Sequence, residues 1–258
     1  MVLQVLRERF QRWHEQNYIP VAESDSEKAA EDLEPPFSVV LSVASIQPRY
    51  MGEIAQGSIY WDWSMDWMNL ANSSIWNSET GFGGDGNLNS PLTVGGGRCV
   101  TDGPFSELRP IIYNHTFTEH CLSRGFRDGN TSSRLTGAPY SPESIGQILR
   151  EPTYKEFVRK VEYYLHNTMH QSIAGDFLAM TAANDPIFFV HHVQLDHLWW
   201  RWQQDRLDVR LKEYTGKHMF NSTGEASLGD ILMYGGFAED VPVSKVMDTE
   251  GGFLCYRY

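Results

Sequence analysis

Positive charge is scarce in this chain. Only 21 Lys and Arg stand against 33 Asp and Glu, giving a formal net charge of −12 over 258 residues. A nucleic-acid binder needs a basic face to displace counterions, so that class is excluded. Long apolar runs are missing as well: nothing approaches the roughly 20 residues of a membrane-spanning helix. Cysteine is rare. The three, Cys99, Cys121 and Cys255, are odd in number and lack the paired spacing of a zinc site. Cys99 and Cys121 read equally well as a bridge closing a short aromatic loop or as reduced thiols. The opening MVLQVLRERFQRWHEQ has no unbroken apolar core of the signal-peptide kind, because Arg7, Glu8 and Arg9 interrupt it. Four Asn-x-Ser/Thr sequons, at Asn72, Asn114, Asn130 and Asn221, nevertheless hint at a secretory ancestry.

What is present is globular in composition, 41% hydrophobic and 21% charged, with 8 Trp and 9 His. Residues 1–18 read as a helix with Val2, Leu3, Leu6 and Phe10 on one stripe. Residues 19–36 form an acidic linker ending at Pro35-Pro36, and 37–59 are β-branched without a clear period. Residues 1–59 are therefore set apart as an atypical N-terminal segment, and 60–258 as the folded domain. From Tyr60 to about Gly137 the text is rich in Gly, Asn, Ser and Trp. Such a stretch is usually functional when it is ordered.

Helical signals then strengthen. Thr153 and Glu156 form a T-x-x-E capping pattern ahead of Phe157, Val161 and Leu165. Asn184-Asp185-Pro186 announces a second helix running through IFFVHHVQLDHLWWRWQQ, with Pro in the first turn, where its missing N–H costs nothing. The terminal VPVSKVMDTEGGFLCYRY alternates and predicts one or two strands around Gly251-Gly252.

The chemistry sits on these two helices. Glu162, His166 and His170 are four apart and so share one face. The zinc-protease pattern H-E-x-x-H is absent, and H-x-x-x-H alone reads either as a metal pair or as a plain surface pair. The second helix is apolar almost all round, which buries His191 and His192. A buried imidazole needs a partner, and His192 facing His166 and His170 would complete a three-imidazole set suited to copper or zinc. The plainer alternative is a core with satisfied histidines. Asp196, one turn after His192, is expected to orient a ligand ring.

His166-Asn167-Thr168-Met169-His170, followed by NDPIFFVHHVQLDHLWWRWQ (184–203), resembles the second copper motif of the tyrosinase and catechol oxidase family. YWDWSMD (60–66) resembles the segment after that family's first copper site. GFGGDG (81–86), CVTDGPF (99–105), HCLSRGF (120–126) and the closing MDTEGGFLCYRY resemble fungal members. The resemblance implies a mainly α fold: a helical bundle core with long loops and a few short β-strands. It implies copper held by His166, His170 and His192. It also implies Glu162 and Asn167 holding a water that takes a phenol proton. The implied activity is oxidation of phenols or catechols to o-quinones in pigment or secondary-metabolite formation, on a small phenolic or tyrosine-containing substrate. Phe177 and Val193 are expected at the copper entrance.

Two departures from the family stand out. His197 occupies a place where Arg is common. More seriously, the family's first three-His set, ending in a motif like F-L-x-W-H-R, has no counterpart before YWDW, where the only histidine is His14. His115 and His120 read as loop residues on the wrong side of YWDW. The expectation is therefore an N-terminal part lost or misread, at most one copper, and impaired oxidation. It extends to a protein partner covering an incomplete core. The alternative is a catalytically inactive mononuclear copper-binding or partner-binding protein.

Overall fold

The structure, a computed structural model, describes residues 60–216, 224–234, 239–251 and 253–258. The helix, linker and β-branched stretch expected within 1–59, and His14 with them, lie outside the described residues. The helices are α1 Trp63–Asp66, α2 Pro142–Leu149, α3 Tyr154–Lys160, α4 Asn167–Ile173, α5 Ile187–Gln204 and α6 Leu207–Arg210. Between them run short 3-10 turns and six two-residue strands paired as three antiparallel ladders. These are β1 Arg98–Cys99 with β4 Ser123–Arg124, β2 Ile112–Tyr113 with β3 Thr116–Phe117, and β5 Ile231–Leu232 with β6 Val241–Pro242. The mainly helical expectation holds. No helix among the described residues is long and apolar enough to cross a membrane.

The chain divides into two compact units. The first gathers Trp63–Ser141 and Asn167–Phe188. Its loops are ordered because aromatic side chains and one covalent bond replace the missing helical period. Trp63 packs on Tyr140 with centroids 5.2 Å apart, Trp76 on Phe126 at 4.7 Å, and Phe82 stacks on Phe105 at 5.7 Å. The β1–β4 register sets Cys99 opposite Ser123, next to Cys121, and of the two sequence readings of these thiols it is the bridge that forms. Cys255 is free and exposed. Closing a loop of this size removes unfolded-state entropy worth about 3 kcal/mol.

The second unit gathers Pro142–His166 and Phe189–Tyr258. Here the Thr153 hydroxyl accepts from the Glu156 amide, so α3 starts where the capping pattern places it. Phe157 stacks on Trp202 at 5.0 Å, and the Trp202 indole donates to the Glu151 carbonyl at 2.8 Å. Gln203 donates to the Met247 carbonyl. Those bonds fix the C-terminal half of α5.

Two expectations are corrected. The helix carrying His166 is not a uniform α-helix: a π-helical turn, Val161–His166, separates α3 from α4. Such wide turns leave no compositional mark and collect at functional sites. Of the one or two strands expected in the terminal VPVSKVMDTEGGFLCYRY, the first forms as β6 Val241–Pro242 and the second does not. Residues 253–258 pair with no ladder, because Tyr256 and Tyr258 turn their hydroxyls to Asp196 instead.

Candidate metal centre

The π-turn ends at His166, and α4 carries the next turn to His170. α5 begins after Asp185, whose carboxylate accepts from the Ile187 amide. It buries His191 and His192 among Val190, Val193 and Leu195. The Nε2 atoms of His166 and His192 stand 3.1 Å apart. One ring nitrogen from each of His166, His170 and His192 lies within 4.8 Å of the other two. Nitrogens about 2 Å from a shared ion sit roughly 3–3.6 Å from one another, so small ring rotations close this set on a metal. His166 and His192 are buried, and three imidazoles without thiolate or carboxylate make a donor set suited to copper. The residues fit the group, and among the described residues this is the one such cluster.

The supporting contacts are specific. His170 Nδ1–H donates to the Phe177 carbonyl at 2.5 Å, which turns Nε2 to the cluster as the nitrogen a metal could use. The Phe177 ring stacks on the same imidazole at 4.1 Å. Phe177 is thus a wall behind the His170 imidazole, and both it and Val193 are buried. Glu162 Oε2 lies 3.1 Å from His166 Nδ1, on the side of the ring turned away from His192. Asn167 opens α4 directly after His166. His191 lies alongside, its ring 6.0 Å from His166 and 5.1 Å from His192.

Asp196 does not orient a ligand ring. It accepts from Tyr256 Oη at 2.6 Å and from Tyr258 Oη. Tyr258 also stacks on His197 at 4.8 Å, so the residue standing where the family commonly has Arg serves as an aromatic shelf. Burial pushes the Asp196 carboxyl up to about 6, against the two tyrosine hydroxyls that pull it down. Its folded-state pKa is thus above its unfolded one. The stability it contributes is complete below the ordinary carboxylate range and is lost as pH rises through about 6. His197 is held down to about 4, by burial first and then by Arg201, with Asp62 opposing. Its contribution has the other sign: it is present above the ordinary imidazole range and lost as pH falls toward 4. The two limbs oppose each other in the native chain. Asp196→Asn is expected to unmask the His197 limb, with the melting temperature climbing between about pH 4 and 6.5. A profile identical to that of the unsubstituted chain would overturn this.

Sequence reasoning missed a second buried group. His120, read as a loop residue, gives Nε2 to Asp176 at 2.8 Å. Asp176 also accepts from the Ser123 amide at 2.8 Å and from Asn184 Nδ2 at 3.0 Å. No local pattern marks this group, since His120 and Asp176 lie 56 residues apart. His115 is exposed in the β2–β3 turn.

With this geometry in place, the likenesses to known proteins are informative. The model of the common central domain of tyrosinase matches residues 49–205. Tyrosinase ustQ of Aspergillus flavus is 69% identical over 199 residues, spanning 77% of this chain and 56% of that protein. Tyrosinase-like protein phomQ2 of Diaporthe leptostromiformis is 66% identical over 200 residues, 77% of this chain and 51% of that protein. The chain thus spans little more than half the length of these relatives. A polyphenol oxidase variant from Thermothelomyces thermophila shares the fold with a TM-score of 0.68 at 21% identity, covering 98% of this chain and 77% of that one. A three-imidazole cluster on the second-copper motif, inside a matched central domain, leads to one conclusion: the chain belongs to the tyrosinase family.

Proposed function

We propose that this chain holds one copper ion on His166, His170 and His192 as the second copper site of a phenol-oxidising protein. The observation that carries this is the convergence of the three ring nitrogens within 4.8 Å. Copper, when bound, supplies the one-electron redox chemistry by which this family oxidises phenols and catechols to o-quinones. The rest falls to the chain. His170 is held by the Phe177 carbonyl and ring. The Glu162 carboxylate supports His166 through Nδ1 and makes its Nε2 a stronger donor. By the family resemblance we also assign to Glu162, with Asn167 one residue beyond His166, the water that takes the phenol proton. The substrate class is a small phenol, a catechol or a tyrosine side chain. The setting we assign is pigment formation or secondary-metabolite tailoring in a fungus, since the tyrosinase and tyrosinase-like relatives named above are fungal.

A second reading, a mononuclear copper-binding protein that does not oxidise catechols, is favoured by one observation. Two-electron oxidation needs two such centres, and this chain offers one set among its described residues and a single histidine in 1–59. The chain of this sequence, purified and copper-loaded, is expected to hold one equivalent by elemental analysis and to leave L-DOPA unoxidised. Two equivalents with quinone formation would overturn the one-copper reading. No bound copper would overturn the site itself.

A further inference from the structure

The chain leaves α4 in an unusual way. Ala174 takes φ 57 and ψ −157, a region used almost only by glycine, and Gly175 follows with φ 58. Such backbone costs on the order of 1–3 kcal/mol and persists only where its surroundings hold it. Gly175 cannot carry a side chain, because a Cβ there would meet the Ser123 carbonyl oxygen at 2.1 Å. What this reversal achieves is local. It folds the turn Gly175–Leu178 back so that the Phe177 carbonyl meets His170 Nδ1 and the Phe177 ring lies on the imidazole.

The turn is held by Asp176, which is fully buried. Its carboxylate takes three donors: His120 Nε2 and Asn184 Nδ2 on Oδ1, and the Ser123 amide on Oδ2. Asn184 is itself anchored, donating also to the Ile112 carbonyl at 2.7 Å. His120 Nδ1 meets the Thr118 carbonyl, so both of its ring nitrogens are turned to acceptors. His120 follows Glu119 and precedes the bridged Cys121, which ties its backbone to β1.

We infer that Asp176, held by His120, is a positioning residue for His170: it fixes the turn that presents the Phe177 carbonyl to the ligand ring. This rests on reading His170 as a metal ligand. Supporting groups of this kind are worth roughly 10–100-fold in metal affinity. Burial disfavours charge on His120, yet its hydrogen bonds to Asp176 and Thr118 raise its pKa above the ordinary value, consistent with an ion pair at the node.

The test uses the full chain with Asp176→Asn, His120→Leu and His120→Gln, the last keeping a donor toward Asp176. Long-range ¹H–¹⁵N imidazole spectra of the metal-free chain report the His170 tautomer. Cu(II) titration against a chelator and EPR of the loaded chain report the site. The expected result is an Nδ1–H tautomer at His170 in the unsubstituted chain, lost in Asp176→Asn and His120→Leu and kept in His120→Gln. Cu(II) binding should be about 10–100-fold weaker in the first two, with a changed EPR hyperfine pattern. If Asp176→Asn does not fold, His120→Leu carries the test. An unchanged tautomer and EPR spectrum in folded variants would overturn the inference while leaving the ligand reading intact. An unsubstituted chain that binds no Cu(II) would overturn both.

Discussion

Arg124→Ala is expected to cost about 3–5 kcal/mol, the loss typical of removing one partner from a buried ion pair. Arg124 is fully buried. Its Nε and Nη2 donate to the two oxygens of Asp185 at 2.7 and 2.8 Å. Its Nη1 faces the carbonyls of Phe82, Gly83 and Gly84, and its guanidinium lies 5.0 Å over the Trp76 ring. One side chain thus ties the glycine-rich loop to the residue that caps α5. Truncation leaves a carboxylate and the loop carbonyls buried without their donor, and that desolvation is the larger part of the cost. The double variant Arg124→Met with Asp185→Leu removes both charges, and its loss should be smaller than that of Arg124→Ala. Urea unfolding followed by circular dichroism measures all three. A single-variant loss under about 1 kcal/mol would show that solvent or neighbours replace the pair.

His192→Leu separates the metal from the fold. His192 is buried on α5 next to buried Val193 and Leu195, where leucine has similar volume and no polar atoms to satisfy. The metal-free variant should therefore unfold at or above the temperature of the unsubstituted chain. Copper should tell them apart. At a hundred times the dissociation constant, a ligand that binds only the folded state adds about 2.7 kcal/mol. The unsubstituted chain should gain on that order and the variant nothing measurable, having lost one of three donors. Differential scanning calorimetry with and without Cu(II) reads both effects. A variant that still gains stability from copper would place the ion elsewhere.

The sequence announced what is encoded locally. Thr153, Asp185 and Pro186 mark helix starts because caps and first-turn proline act within a few residues. The pair His166 and His170 is legible because helical spacing puts them a turn apart. His192 was legible because an apolar helix must give a buried imidazole a task. What escaped depends on distant pairing. Arg124 finds Asp185 across 61 positions, and His120 finds Asp176 across 56, with no residue between them to signal either. The thiols were undecidable until the β1–β4 ladder set Cys99 opposite Ser123, two residues after Cys121. The final Y-x-Y was misread because its alternation serves two hydroxyls aimed at one carboxylate, not a pleated strand. The π-turn has no sequence signature, so the uniform helix drawn through His166 was the natural error.

The Cys99–Cys121 bridge has a practical consequence for handling this protein. Between the two sulfurs lies the β2–β3 hairpin, whose tip at Asn114 and His115 is exposed. A protease that cuts there severs the chain but not the molecule, since the bridge still joins the two pieces. Gel filtration and non-reducing electrophoresis would both report an intact protein. Only after a thiol reductant would the nick show, as two fragments parted at the hairpin.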